Sequence, residues 1–317
     1  MPKLNASSRI MFEEAESRGI VGTTFGDSET ILMQYQGKQW YTRGSRTSLQ
    51  SSVGKTIADN KDLTKKVLAH FHLPTAKHIK VNSASDLELL TPLQFPVVMK
   101  PLDERHGRGV VVGIPNLEAA TKAYTAQSYT KVIFEEMLSG LEYRIVCVDF
   151  KFVAAAFRKP AHVTGDGRST VSELIAQKNQ HPWRGKGHAF NLTLIETDEQ
   201  VETFLKEQAL TLDSVPATDQ EVPLRKTANL STGGEAWDVT DEVSDENKAL
   251  FEAIAKACDL NVAGIDVMCQ SLQTAIGDQP QAGVIEVNAS PGLRMHHYPI
   301  KGTARNIAGA IINMVLK

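Results

Sequence analysis

Two apolar runs, VAGIDVMC (262–269) and GVIEVN (283–288), each carry a carboxylate among β-branched residues. Val and Ile at this density mark buried strands, and a buried carboxylate is costly unless it is paired, hydrogen-bonded or bound to a cation. In the second run Glu286 and Asn288 sit two residues apart, so the pleat turns both side chains to one face. Paired side by side, the two strands would place Asp266, Glu286 and Asn288 around one point. Hard oxygen donors of this kind suit Mg²⁺. A buried polar network, or a strand end in solvent, is the other reading of the same residues. Ser290-Pro291-Gly292 then turns the chain, and Arg294, His296 and His297 follow at once.

Upstream, the pattern mixes strands and helices without a strict βαβ repeat, which predicts an α+β chain rather than one doubly wound sheet. A helix is expected over 9–19 and a hairpin around Gln36-Gly37 within 29–44. Further helices are expected over 59–74, over SASDLELL, over 116–127, over VSELIAQKN capped by Ser169 or Thr170, over 198–210 and 245–259, and over about 303–316.

The formal net charge of −3 and the absence of any basic face argue against a nucleic-acid partner. Three cysteines, Cys147, Cys258 and Cys269, show no paired metal spacing and read as small buried hydrophobes in a reducing compartment. Acidic residues occupy the N-terminal stretch where a signal peptide would be apolar. No run approaches the roughly 20 apolar residues of a membrane span. A cytoplasmic protein with no membrane partner is therefore expected. The apolar run TILMQY near the N-terminus suggests an extra interface and a homo-oligomer.

Three other stretches carry chemistry. In VVMKPLDERHGRGVVVGI (97–114) a strand delivers Lys100 to a loop with Gly107 and Gly109, whose backbone amides could cover phosphate oxygens, with Arg105 and Arg108 adding charge. A turn is the plainer reading. VIFEEMLSGLEYRIVCV (132–148) places Glu135, Glu136 and Met137 before a turn and Glu142 after it. Such a hinge exposes backbone groups that can pair with an adenine edge, and Glu142 could accept from ribose hydroxyls; a charged hairpin tip is the alternative. RKTANLSTGGEAWD (225–238) sets Arg225 and Lys226 before a polar loop with Gly233-Gly234, which suits a transferring phosphoryl group or is simply a surface loop.

These pieces in this order resemble the ATP-grasp superfamily from about residue 10 to the end. The resemblance implies an α+β ATP-grasp fold with nucleotide held between two α+β subdomains. It also implies a shortened N-terminal helix/hairpin segment over 1–58 and an ATP-grasp domain over 59–317, with a lid at about 95–140 and a metal and substrate part at about 141–317. DNKDLTKKVL points to Lys61 as the first nucleotide lysine, and VVMKP with HGRGV to Lys100 as the second. EEML…E implies Glu135, Met137 and Glu142 as adenine and ribose contacts. RKTANLSTGG implicates Arg225 and Asn229, while Asp266, Glu286 and Asn288 match the metal ligands. Within the superfamily, HGRGVVV, AHVTGDGRSTVSELI, TANLSTGGEAWDVTDEV and VNASPGLRMHHYP look most like the ATP-grasp part of cyanophycin synthetases. The bifunctional glutamate–cysteine ligase/glutathione synthetases come next, through MHHYPIKG. The likeness does not extend to the Mur-ligase-like half of the former, so their polymer chemistry is not carried over whole.

The implied reaction is ATP-dependent ligation of a carboxylate to an amine through an acyl phosphate, with amino acids or short peptides as substrates. Mg²⁺, about two ions, is the implied metal, with Mn²⁺ able to replace it. Arg225 would face the transferring phosphoryl group and Arg294 the acyl phosphate. Arg158, Lys159 and His162 suit a substrate carboxylate; His188 suits an incoming amine or is a surface histidine; His296 and His297 line the pocket or serve packing. A nucleotide-binding module without chemistry, and a carboxylate kinase with a non-amine acceptor, remain alternatives.

Overall fold

The computed structural model describes residues 4–104, 109–187 and 190–317. Contacts divide the chain into two compact units: unit one comprises 1–48, 154–240 and 292–317, and unit two comprises 49–153 and 241–291. Each is interrupted in sequence, because the chain leaves one unit and returns to it.

Unit one begins with α1 (Ala6–Ser17), capped by Asn5, whose side chain accepts from Ser8 N. Its apolar stripe, Ile10, Met11 and Ala15, is buried. A four-stranded antiparallel sheet follows in sequence order, β1 (Val21–Thr24), β2 (Thr30–Tyr35), β3 (Lys38–Arg43) and β4 (Arg46–Thr47). The expected hairpin at Gln36-Gly37 is its centre, and both turn residues take positive φ, as a type I′ turn requires.

Unit two opens with α2 (Ser52–Asp59) and α3 (Lys61–His70), the latter capped by Asn60. Next come β5 (His78–Val81), β6 (Val97–Pro101), β7 (Val111–Ile114), α4 (Leu117–Thr125) and β8 (Val132–Glu136). These strands form an antiparallel sheet in the order β5-β8-β6-β7, covered by a core of Val97, Met99, Val132, Phe134, Leu87 and Leu90. The segment SASDLELL is a 3₁₀ helix over Ala84–Leu90 rather than an α-helix, held by a Ser83–Asp86 capping box. β9 (Leu141–Val148) follows a turn at Gly140.

β10 (Lys151–Lys159) carries the chain back into unit one from Ala154. There follow β11 (His162–Thr164), α5 (Val171–Asn179), β12 (Arg184–Gly185), β13 (Leu192–Thr193), α6 (Glu199–Glu207), β14 (Glu221–Pro223) and β15 (Glu235–Asp238). Thr170, not Ser169, caps α5, through a capping box with Glu173. β10 pairs with β15, β11 with β14, and β12 with β13.

Unit two is completed by α7 (Asp245–Ala257), β16 (Val262–Cys269) and β17 (Gly283–Asn288). β16 lies antiparallel between β9 and β17, and α7 packs against β9 and β16 through buried Phe251 and Ile254. The chain closes in unit one with the short α8 (Arg294–His297) and the largely buried α9 (Ile307–Leu316), which packs on α1. α9 starts four residues later than the sequence predicts, because Asn306 supplies the N-cap by accepting from Gly309 N. Cys147, Cys258 and Cys269 are all buried and free. No helix among the described residues is long and apolar enough to cross a membrane.

Candidate functional site

In unit two, three strands place three ionic side chains in one row. Asp266 of β16 is directly opposite Arg144 of β9 on one side and Glu286 of β17 on the other. Directly opposed residues share a face of a sheet, so the carboxylates meet as the sequence requires, with Asn288 two residues along the same face. Arg144 clamps Asp266 with two hydrogen bonds, Nε to Oδ1 and Nη2 to Oδ2, the second at 2.8 Å. Asn288 Nδ2 donates to Glu286 Oε1 at 3.1 Å. Burial, then the neighbouring Asp266, push the Glu286 carboxyl above its ordinary range, against the pull of Arg144.

Arg144 escaped the sequence reading. Its signal was present, an arginine inside the apolar run EYRIVCV, but nothing local shows that β9 pairs with β16.

These residues fit a hard divalent cation in donor chemistry, since two facing carboxylates and an amide oxygen line one face and Glu286 is held in an environment that resists its negative charge. Among the described residues, no three His, Cys, Asp or Glu side chains converge as a ready-made metal cluster. Oxygens of a bound phosphate would have to complete any coordination shell.

The second cluster in unit two surrounds Glu135. Its side chain is 5 % exposed, with Lys65 Nζ at 2.7 Å from one oxygen and Lys100 Nζ paired with the other. β8 places Glu135 opposite Val98 of β6 and His78 of β5, so the carboxylate is enclosed by its own sheet. Burial lowers both ammonium groups, Lys65 to about 8 and Lys100 to about 7; Lys65 lowers Lys100 further, and the Glu286 carboxylate works the other way on both. Lys61 opens α3, and its Nζ donates to Glu104 O at 2.6 Å and Leu102 O at 3.5 Å, at the end of the segment that carries Lys100. Met137 is half-buried just beyond β8, and Glu142 lies near the start of β9, also half-buried.

Between them Gly140 takes φ +116°, and a Cβ there would lie 2.4 Å from the Cys269 backbone. Only glycine meets both conditions. Gly109 has φ +67° and is pressed against Tyr129 and Pro101. Gly107, Arg105 and Arg108 lie outside the described residues, as does His188.

Unit one holds the remaining residues. Arg225 is buried, donating from Nη2 to Asp198 Oδ2 at 2.7 Å and from Nη1 to Gln200 Oε1 at 3.0 Å. Both acceptors sit at the start of α6, where Asp198 is also the N-cap. Arg225 lines a cavity of about 240 Å³ with Gly187, Thr193, Glu196, Ser231 and Thr232. Asn229 Oδ1 accepts from Arg158 Nη2 at 3.2 Å, so two predicted residues meet directly. The loop from Asn229 closes on itself: Thr232 N and Gly234 N both donate to Asn229 O. A Cβ at Gly234 would lie 2.8 Å from that oxygen and 3.0 Å from Lys159 O.

His162 belongs to a buried network around Glu235. Its Nδ1–H donates to Pro160 O at 3.0 Å, and Nε2 accepts from Lys178 at 3.1 Å. Lys178 and Arg184 both pair with Glu235, at 2.9 and 2.8 Å. Lys159 pairs with Glu221 and lies 4.6 Å above the Trp237 ring. Arg294 donates to Phe190 O at 2.7 Å, and burial lowers its proton affinity. His296 is fully buried. His297 Nε2 accepts from Ala308 N at 3.2 Å in the first turn of α9, and burial pushes its pKa down to about 4.

Residues 217–315 match the RimK-like ATP-grasp domain. A cyanophycin synthetase of Nostoc sp. is 39% identical over 98% of this chain, which covers 35% of that protein. A glutathione biosynthesis bifunctional protein of Pasteurella multocida is 33% identical over 98% of the chain, covering 42% of it. The crystal structure of a bifunctional glutathione synthetase from Pasteurella multocida superposes with TM-score 0.79 at 32% identity, covering 99% of this chain and 43% of that one. A D-alanine–D-alanine ligase from Bacillus anthracis shares the fold at TM-score 0.50 and 15% identity, over 84% of this chain and 70% of that one. The chain thus spans between a third and a half of the length of these curated relatives.

Proposed function

Because the chain has the ATP-grasp fold, we propose that it is an ATP-dependent carboxylate–amine ligase acting on amino acids or short peptides through an acyl phosphate. The observation that carries this reading is the row Arg144–Asp266–Glu286 with Asn288, in the same unit as Lys61 and Lys100. Anion-binding lysines and hard-cation donors together suit a nucleoside triphosphate.

Lys61 and Lys100 bind phosphate oxygens, and the backbone around Met137 receives the adenine, with Glu142 on the ribose. Asp266, Glu286 and Asn288 hold divalent cations, whose contribution is to neutralise the charge of the β- and γ-phosphates. Arg144 holds Asp266 in place through its two hydrogen bonds. A substrate carboxylate oxygen forms a bond to the γ-phosphorus as the bond to ADP breaks, giving an acyl phosphate. The amine nitrogen then bonds to the acyl carbon, phosphate departs, and the amine's proton goes to water or to substrate. Arg225 is assigned to the transferring phosphoryl group, held by Asp198 and Gln200, and Arg294 to the acyl phosphate. Carboxylate, phosphates and intermediate are all anionic, so positioning and charge neutralisation supply most of the catalysis.

Phosphate release from ATP and Mg²⁺ across a panel of amino acids and dipeptides, singly and in pairs, with mass spectrometry of products, tests the reading. Release that requires a specific pair, with a product lighter by one water than the two reactants, supports it. ADP formation without pair dependence makes the protein a kinase, and tight ATP binding without turnover makes it a nucleotide-binding module.

A further inference from the structure

Lys65 lies four residues after Lys61 on α3, and its side chain is 3 % exposed. Its neighbour Lys66 points outward, 63 % exposed, to Asp62. Lys65 instead turns inward, 2.7 Å from Glu135 and 3.3 Å from Thr75 Oγ1, and Thr75 donates to Val284 O at 3.2 Å. A buried lysine is expensive, because both its charge and its flexible stem must be fixed. It is retained here opposite a carboxylate that already has a second lysine, Lys100, on its other oxygen.

The charges of this triad do not cancel. Within contact distance one carboxylate faces two lysines, which leaves one positive charge when both are protonated, a state that Glu286 beyond the triad favours. Without Lys65, Glu135 and Lys100 would neutralise each other, and Lys100 would bring little net charge to an arriving anion. Without Glu135, two ammonium groups would repel each other and Lys100 would lose the carboxylate that orients it.

We propose that Lys65 is a positioning residue for Lys100: by balancing Glu135, it lets that carboxylate orient Lys100 without cancelling the charge that Lys100 presents to a nucleotide phosphate. The inference rests on the assignment of Lys100 to a phosphate. On this view Glu135 acts through Lys100 and not by touching the nucleotide base.

The test is a double-mutant cycle on the full chain, titrating a non-hydrolysable ATP analogue with Mg²⁺ by calorimetry. Lys65→Met weakens binding at least about tenfold, and Lys65→Met added to Glu135→Gln changes it less than about threefold. The second expectation follows because, with Glu135 replaced, no carboxylate is left in contact with Lys100 for Lys65 to balance. A direct phosphate contact by Lys65 would give the tenfold loss in both backgrounds and overturn the proposal, as would binding by Lys65→Met within threefold of wild type. If Lys65→Met alone does not fold, the comparison of Glu135→Gln with the double variant decides by the same limits, since its buried groups are neutral. If Lys100→Met binds the analogue as tightly as wild type, the phosphate assignment itself fails, and with it the role given to Lys65.

Discussion

Arg144 and Asp266 join β9 to β16 through two parallel hydrogen bonds, and they are 122 positions apart in the sequence. The pair is almost fully enclosed, so neither partner can be removed without stranding the other. Breaking a buried ion pair from one side costs about 3–5 kcal/mol. Arg144→Met is therefore expected to lower thermal stability strongly in EDTA. A divalent cation at Asp266 and Glu286 would offset part of that loss, so the drop in Tm should shrink in Mg²⁺. Equal drops with and without Mg²⁺ would remove the cation from this row.

Glu286→Gln separates stability from activity in the opposite way. The carboxyl is already disfavoured by burial and by Asp266, so an amide of the same shape relieves repulsion. Melting should occur at or above the wild-type temperature, while Mg²⁺-dependent phosphate release falls roughly 10²-fold or more. Near-normal turnover would refute the metal assignment.

Arg294→Ala addresses the acyl phosphate. Arg294 is assigned to the acyl phosphate and not to the nucleotide, so its loss should reduce turnover at saturating ATP more than it weakens ATP binding. Reduced ATP affinity with normal saturated turnover would make Arg294 a nucleotide contact.

A pH effect is expected at His297. Its folded pKa of about 4 lies below the usual 6.5, so between those values the unfolded chain binds the extra proton and the folded chain does not. Stability from this residue is full above pH 6.5 and is lost as pH falls towards 4, by up to about 3 kcal/mol. His297→Gln, whose side-chain oxygen can still accept from Ala308 N, should flatten the acid limb of a Tm-versus-pH curve. An unchanged limb would mean that other groups set it.

Gly140→Ala tests the turn that leads into β9. Positive φ and contact with the Cys269 backbone act together, and each such strain costs on the order of 1–3 kcal/mol. Urea unfolding should show a loss of at least about 2 kcal/mol. A loss under about half that figure would show that the turn can shift.

Patterns confined to one segment were readable in the sequence. The alternation in GVIEVN set the shared face of Glu286 and Asn288, and Asn60, Thr170 and Asp198 announced their helices. Relations between distant segments were not readable. KDLTKK shows two adjacent lysines that look alike, and only the packing of α3 tells buried Lys65 from exposed Lys66. Arg144 needed the β9–β16 register, and β1 and β4 are too short to be seen beside the hairpin they extend. The pair in RMHHYP reads as pocket wall or packing, and that His297 accepts from the first turn of α9 is an attachment set by a helix that begins ten residues later.

The enclosure of the three cysteines has a practical side. Burial raises the Cys258 and Cys269 thiols to about 12 and the Cys147 thiol further still, so at neutral pH almost none is thiolate, the form that alkylating reagents attack. Buried and protonated, the three thiols are expected to react slowly with maleimide probes while the chain is folded. A single cysteine placed on the surface would become its one fast-reacting thiol, and a fluorophore or spin label could be attached there without first stripping the natural cysteines from the core.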